Sequence, residues 1–198
     1  NSCISNDDML SQIKENIDDV ALILLSGVNY YTGQFYNIKS ISEIAAKENC
    51  AIGLDLAHAA GNVTLELHNW DIDFAAWCGY KYLNGGPGAP SGAFIHEKHH
   101  DNKNIPRLEG WWGHNKSTRF DPPTRFDPII GAEAWQSSNP PILSMASLRS
   151  SLDLFDDAGI SNLRDKSKML TSYMELLIKS LRSDIINIIT PEDSKFRG

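Results

Sequence analysis

The chain has 198 residues, 41% hydrophobic and 22% charged, a balance ordinary for a globular domain with a buried core or for a piece of a larger one. Its formal charge of −7 gives a nucleic-acid or anionic-membrane role no electrostatic footing. No apolar run is long enough to span a bilayer, and no basic-then-apolar start marks a secretory signal.

Residues 20–25 are a continuous apolar run, which predicts a strand covered on both faces. Ile38, Ile41, Ile44 and Ala45 fall at helical spacing and predict a helix over 38–49. Further strands are expected over 50–55, ending in Asp55, over 72–77 and over 92–95. This rhythm implies an α/β fold with a mostly parallel central sheet and flanking helices. Residues 110–141 carry the Trp111-Trp112 pair, five prolines and little periodicity, and read as a long ordered loop or lid, functional or subunit-bridging. Helices are expected over 143–157 and 163–181, the second long enough to link two domains, and a strand over 185–190. That last strand has no partner in the eight residues after it, so the chain reads as a fragment. Cys3, Cys50 and Cys78 are odd in number and widely spaced, which suggests neither a disulfide framework nor a metal knuckle but reduced thiols in a cytoplasmic protein.

In open α/β sheets, ligands sit at the carboxyl ends of strands. Asp55 falls at such an end, and Lys81 lies 26 residues on, just past the next strand. An acid and an amine would then face one crevice. Pyridoxal phosphate chemistry needs such a pair: a lysine for the Schiff base and a carboxylate to keep the pyridine nitrogen protonated. Spacing alone leaves a surface lysine and an aspartate in a turn as the plainer reading. The context adds weight, since His58 follows the acid by three residues and could stack on a planar ring. Tyr80-Lys81-Tyr82 sits in a Gly-rich turn, whose glycines are expected to let a bulky cofactor approach.

Three runs, Ser26-Gly-Val-Asn-Tyr-Tyr-Thr-Gly-Gln34, Asp55-Leu-Ala-His-Ala-Ala-Gly-Asn62 and Tyr80-Lys-Tyr-Leu-Asn84, resemble the kynureninase family in order and spacing. The resemblance continues through Gly92-Ala-Phe-Ile-His-Glu-Lys98, Gly110-Trp-Trp-Gly-His114, Ser117-Thr-Arg-Phe120 and Ser138-Asn-Pro-Pro141. It implies an aspartate-aminotransferase-like large domain over 1–180, partial here, and the start of a small C-terminal α+β domain over 181–198. It also implies a cytoplasmic homodimer using pyridoxal 5′-phosphate and no metal. The reaction implied is hydrolysis of L-kynurenine or 3-hydroxy-L-kynurenine to anthranilate or 3-hydroxyanthranilate plus L-alanine, in tryptophan catabolism and NAD biosynthesis.

By that resemblance Lys81 is the Schiff-base lysine, Asp55 the pyridinium partner and His58 the residue beside the ring. Ser26 and Tyr80 match cofactor-pocket positions, and Tyr80 is the candidate acid–base group for the later steps. Trp111 and Asn139 match residues that reach the cofactor phosphate across the dimer interface. His114 and Ser138, next to them, are expected to shape the substrate pocket together with Asn139. Trp112 is expected to be structural. The resemblance puts the phosphate cradle upstream of this chain and a substrate-carboxylate arginine downstream, so the piece alone is expected to be inactive. A cysteine desulfurase-like lyase and a cofactor-free interaction module are the alternatives, disfavoured by the Gly-Trp-x-Gly-His and Ser-Asn-Pro-Pro stretches and by the retained Lys81 and Asp55. His96, His99 and His100 read as a solvated turn with no acidic partner near, Asp7, Asp8, Asp18 and Asp19 as helix-end and surface charges, and residues 85–88 as a flexible turn.

Overall fold

Ser5 opens the first helix, α1 (Asn6–Asn16), by accepting a hydrogen bond from Asp8 N at 3.3 Å. Asp7 and Asp8 in its first turn complement the positive end of the helix dipole, as expected of helix-end charges. A computed structural model describes residues 3–122, 125–182 and 185–198. Pro123 and Thr124 of the expected 110–141 loop lie outside the described residues, as do Ser183 and Asp184 of the expected C-terminal unit.

Four strands follow: β1 (Leu22–Ser26), β2 (Ala51–Asp55), β3 (Phe74–Trp77) and β4 (Gly92–Ile95). They pair in sequence order, the first three parallel and β4 antiparallel to β3, so the sheet is mostly parallel as the sequence suggests. β1 begins two residues later than expected because Val20 N closes a 3-10 turn on Ile17 O at 3.1 Å. Ile72 N is likewise spent on Leu67 O, which delays β3.

The helix α2 (Ile38–Lys47) makes the crossover from β1 to β2, capped by Asn37, which accepts from Ser40 N at 3.3 Å. It stops short of the expected residue 49, where Asn49 turns left-handed at φ 55°. Its buried Ile38, Ile41 and Ala45 join Ile23, Ile52, Leu54 and Ala75 of the sheet in one core. Ile41 is 1% exposed, so Ile41→Ala is expected to lower the unfolding free energy by about 2–5 kcal/mol, read by urea denaturation.

The expected burial of β1 on both faces is not observed. Ile23 points into the core, but Leu24, on the other face, is 60% exposed. The βαβ rhythm also holds only once, since residues 56–73 cross from β2 to β3 through turns without a helix. Residues 110–141 form an irregular loop, as expected, pinned by a His114–Pro128 bridge and a short 3-10 turn at Ala132–Trp135. Two helices then form, α3 (Ile142–Ala158) and α4 (Ile160–Ser180), separated only by Gly159 at φ 75°. The strand expected over 185–190 is absent: residues 186–189 are irregular, and a strand needs a neighbouring ladder that the four-stranded sheet does not give them. No helix among the described residues is long and apolar enough to cross a membrane.

Candidate active site

Parallel pairing sets the site. Ser26 lies opposite Asp55 in the β1–β2 register, and Asp55 lies opposite Ala76 in β2–β3, so all three stand at the carboxyl edge of the sheet. Asp55 ends β2 with its side chain exposed. Its Oδ1 accepts from Ala57 N at 2.9 Å, a turn bond that fixes the carboxylate, while among the described residues Oδ2 takes no hydrogen bond. One acceptor is therefore held and the other is free to meet a proton donor from the crevice.

The turn after β2 carries His58 and the turn after β3 carries Lys81, and the two meet: Lys81 Nζ lies 3.0 Å from His58 Nε2. Gly61 brings the turns together. It sits at φ +80°, and a Cβ there would come within 2.8 Å of Tyr82 O, so only glycine lets the backbones approach this closely. The lysine turn is braced by Asn84 N donating to Lys81 O at 3.0 Å and by Ser147 Oγ of α3 donating to Gly85 O at 2.7 Å. The glycines of this turn do not all act as expected. Gly85 is hemmed by Ala89 and by Gly79 O at 2.7 and 2.9 Å from a would-be Cβ, so it serves packing of the chain on itself and leaves no room for a ligand.

Burial pulls the His58 imidazole below its ordinary value, the Lys81 charge pulls the same way, and Asp55 partly opposes them. A neutral His58 with its proton on Nδ1 can therefore accept from Lys81. Its ring has Tyr30 and Tyr82 for neighbours, at centroid distances of 6.3 and 6.2 Å. Tyr80 is 55% exposed, and Lys81 Nζ stands 5.9 Å from its ring centroid. Ser26, Asp55, His58, Tyr80 and Lys81 are thus gathered at one sheet edge, as their order in the sequence suggests. The residue set fits a planar, aldehyde-bearing cofactor: an amine, a neutral flat ring and a carboxylate with one unused oxygen.

Trp111, His114, Ser138 and Asn139 are elsewhere. No hydrogen bond or ring contact among the described residues joins them to Asp55, His58 or Lys81. Trp111 and His114 line a cleft of about 360 Å3 with Arg119, Arg125 and Phe126. Both ring nitrogens of His114 are engaged, Nδ1 accepting from Asp127 N at 3.2 Å and Nε2 lying 3.1 Å from Thr118 Oγ1. Ser138 and Asn139 are exposed and bonded to each other at 3.3 Å.

Sequence reasoning missed three residues here. Tyr30 is presented by a turn in which Asn29 Oδ1 accepts from Tyr31 N and Thr32 N at 2.9 and 3.0 Å, and the Gly-x-Asn-Tyr pattern was the available signal. Tyr82 flanks His58 from the lysine turn. Arg119 holds the tryptophan pair in shape: its guanidinium lies 4.9 Å from the Trp112 centroid, and Nη2 donates to Trp112 O at 2.6 Å and His114 O at 3.2 Å. The Ser117-Thr-Arg-Phe120 run marked that arginine as part of a motif, but nothing in the run tells that its guanidinium braces the tryptophan pair.

At the opposite end of β3 the expected solvated histidine turn is overturned. His96 is 7% exposed and stacks on His68 at 4.8 Å, and His99 Nε2 lies 2.6 Å from Asp73 Oδ1. Lys98 Nζ reaches Asp71 at 2.8 Å and Asp73 at 3.0 Å. The acids are remote in sequence and arrive because β3 and β4 pair antiparallel, which sets the end of one beside the start of the other. Asp73 Oδ2 also accepts from Ile52 N at 2.7 Å, so this carboxylate ties the histidine turn to β2.

Burial alone would raise the Asp73 carboxyl, but hydrogen bonds from Ile52 N, His99 and Lys98 outweigh it and hold it below its ordinary 3.8. Its stabilising contribution is therefore complete above that value and is lost as pH falls through the lower folded one. In urea denaturation at pH 7 and pH 3, the wild type is expected to lose more stability on acidification than Asp73→Asn, which starts lower. Among the described residues no group of three or more His, Cys, Asp or Glu side chains is placed to hold a metal.

The aminotransferase class-V family model matches residues 4–195. The chain is 48% identical over 195 residues to a kynureninase from Flavobacterium psychrophilum, covering 97% of this chain and 46% of that protein. It is 50% identical to a kynureninase from Myxococcus xanthus, covering 98% and 46%. The chain thus spans about half the length of the curated relatives it matches. Among solved structures it is similar to an apo cysteine desulfurase from Thermococcus onnurineus NA1, with a TM-score of 0.71 and 19% identity over 96% of this chain and 45% of that one, a likeness of fold.

Proposed function

The chain belongs to the aminotransferase class-V family, and from that premise we propose that it is the central, lysine-bearing part of a pyridoxal 5′-phosphate-dependent kynureninase. The reaction is hydrolysis of L-kynurenine or 3-hydroxy-L-kynurenine to L-alanine and anthranilate or 3-hydroxyanthranilate. The observation that carries this reading is the meeting of Lys81 with His58 at 3.0 Å beside Asp55. Identity near one half to kynureninases supports that substrate class over the cysteine desulfurase reading, whose structural likeness comes at 19% identity.

When bound, pyridoxal 5′-phosphate supplies an aldehyde that condenses with an amine and a pyridine ring that takes up electrons from the adjoining carbon. Lys81 would be the amine that holds it and, as a free amine, the base placed to take the substrate Cα proton. Asp55 Oδ2, left open by the Oδ1–Ala57 bond, keeps a proton on the pyridine nitrogen. His58 offers the flat face between Tyr30 and Tyr82, and Ser26 borders the same edge. Tyr80, exposed beside Lys81, moves protons while water adds to the γ-carbonyl and the Cβ–Cγ bond breaks.

We assign Trp111 and Asn139 to the cofactor phosphate of a second subunit, with His114 and Ser138 at its substrate pocket. Their separation from Lys81 within one chain supports a homodimer in which each copy completes the other's site. The locked ring of His114 suits it to shaping that pocket more than to exchanging protons. We assign the protein to the cytoplasm, a reading its three free thiols support. The end of α4 at Ser180 supports a division between a large domain, 1–180, and the start of a small one, 181–198.

The test is fluorescence detection of anthranilate released from L-kynurenine by the full-length protein with pyridoxal 5′-phosphate, run beside 3-hydroxy-L-kynurenine and L-cysteine. Release of the aromatic acid from either kynurenine supports the reading. Alanine from cysteine with none from the kynurenines would replace it with the desulfurase.

A further inference from the structure

We propose that His58 is the proton acceptor for Lys81 during cofactor loading, a role separate from lying against the ring. This rests on the pyridoxal phosphate reading above. A lysine amine ordinarily carries a proton at neutral pH and cannot attack an aldehyde until it gives that proton up. His58 Nε2, 3.0 Å from Nζ, is the nitrogen placed to receive it.

The surroundings suit the transfer. The turn bearing His58 and the turn bearing Lys81 are pressed together at Gly61, so the two nitrogens are held by backbone packing more than by chance rotamers. The titratable groups facing His58 are Lys81, Asp55, Tyr30 and Tyr82. Burial and the Lys81 charge keep its imidazole neutral, hence able to accept, while the Asp55 carboxylate steadies the positive imidazole once the proton has moved. Asp55 has no hydrogen bond to Lys81 among the described residues, its Oδ1 being engaged by Ala57 N. Tyr80 meets Lys81 through its ring face, 5.9 Å from centroid to Nζ.

The step balances. A proton passes from Lys81 Nζ to His58 Nε2, and the freed electron pair on Nζ forms a bond to the aldehyde carbon as the carbonyl π bond opens onto oxygen. That oxygen becomes a hydroxyl by taking one proton from the attacking nitrogen. The proton on His58 then goes to it, and it leaves as water while the carbon–nitrogen double bond closes with one proton left on nitrogen. His58 ends as it began, neutral and free to lie against the ring.

The experiment is stopped-flow formation of the visible absorbance band when the full-length apoprotein meets pyridoxal 5′-phosphate. Wild type, His58→Phe and His58→Gly are compared, with rate and final amplitude scored separately. His58→Phe keeps a flat ring and loses the acceptor, so its rate is expected to fall about 10-fold or more with amplitude largely kept. His58→Gly is expected to be as slow and to be accelerated by added imidazole, which should leave His58→Phe unmoved. Should the phenylalanine variant fail to fold, the imidazole response of the glycine variant decides alone. Variants that load at the wild-type rate, or a glycine variant indifferent to imidazole, overturn the inference and leave the proposed function standing. A wild type that forms no band overturns both.

Discussion

Lys81→Ala in the full-length protein is expected to abolish anthranilate release from L-kynurenine, to the limit of detection, while leaving the fold intact. The side chain is half-buried at the tip of a turn, and its hydrogen-bonding partner through Nζ is His58. Removing it costs little packing, since the turn is held by the Asn84–Lys81 backbone bond and by Ser147. The catalytic loss is large because no other amine stands in the crevice among the described residues, and covalent attachment cannot be shared with a neighbour. The check is paired: thermal unfolding within a few degrees of wild type, and turnover lost. Lys81→Arg should behave the same, since a guanidinium keeps the charge and cannot form the bond. Near-wild-type turnover in either variant would remove Lys81 from the centre of the chemistry.

Asp55→Asn is expected to retain a bound cofactor but lower turnover by roughly 100-fold or more, the size of loss typical when a charge-stabilising group is removed from an active site. The geometry says why the two functions separate. Oδ1 is engaged with Ala57 N and serves the turn, and asparagine can keep that bond through its carbonyl oxygen. Oδ2 is the free position, and there asparagine puts an amide that donates, so it can no longer hold a proton on a pyridine nitrogen. The expected signature is a visible band of near-normal amplitude with kcat depressed far more than KM is changed. A variant that turns over normally would assign the carboxylate to the turn alone.

The sheet edge was legible because strand ends write themselves plainly. Continuous apolar runs announce β1 and β2, Asp55 closes β2 on a charge, and the spacing from Asp55 to Lys81 allows one loop and one strand. What linked His58 to Lys81 was hidden, because the contact depends on Gly61 letting two turns touch, and a single glycine between Ala60 and Asn62 looks like any other. The histidine turn after β4 was misread for a related reason. Its acids, Asp71 and Asp73, come from the far side of β3 by antiparallel pairing, which local spacing does not encode. Leu22 and Leu24 read as buried because their hydrophobicity reports what a strand face can cover, and here that face stays open. Residues 185–190 have strand composition but no adjacent edge, so propensity had nothing to pair with. Trp111, His114, Ser138 and Asn139 were located as motifs, yet their separation from Lys81 within the chain follows from how the chain is folded, which a motif does not carry.

The measurement that bears most directly on the proposed chemistry is borohydride reduction of the full-length protein with pyridoxal 5′-phosphate, followed by peptide mapping. A visible band that bleaches on reduction, with the added pyridoxyl mass on the peptide containing Lys81, is the expected result. Label on another lysine, or no label in a folded protein, would contradict the assignment of Lys81 and with it the site built around Asp55 and His58.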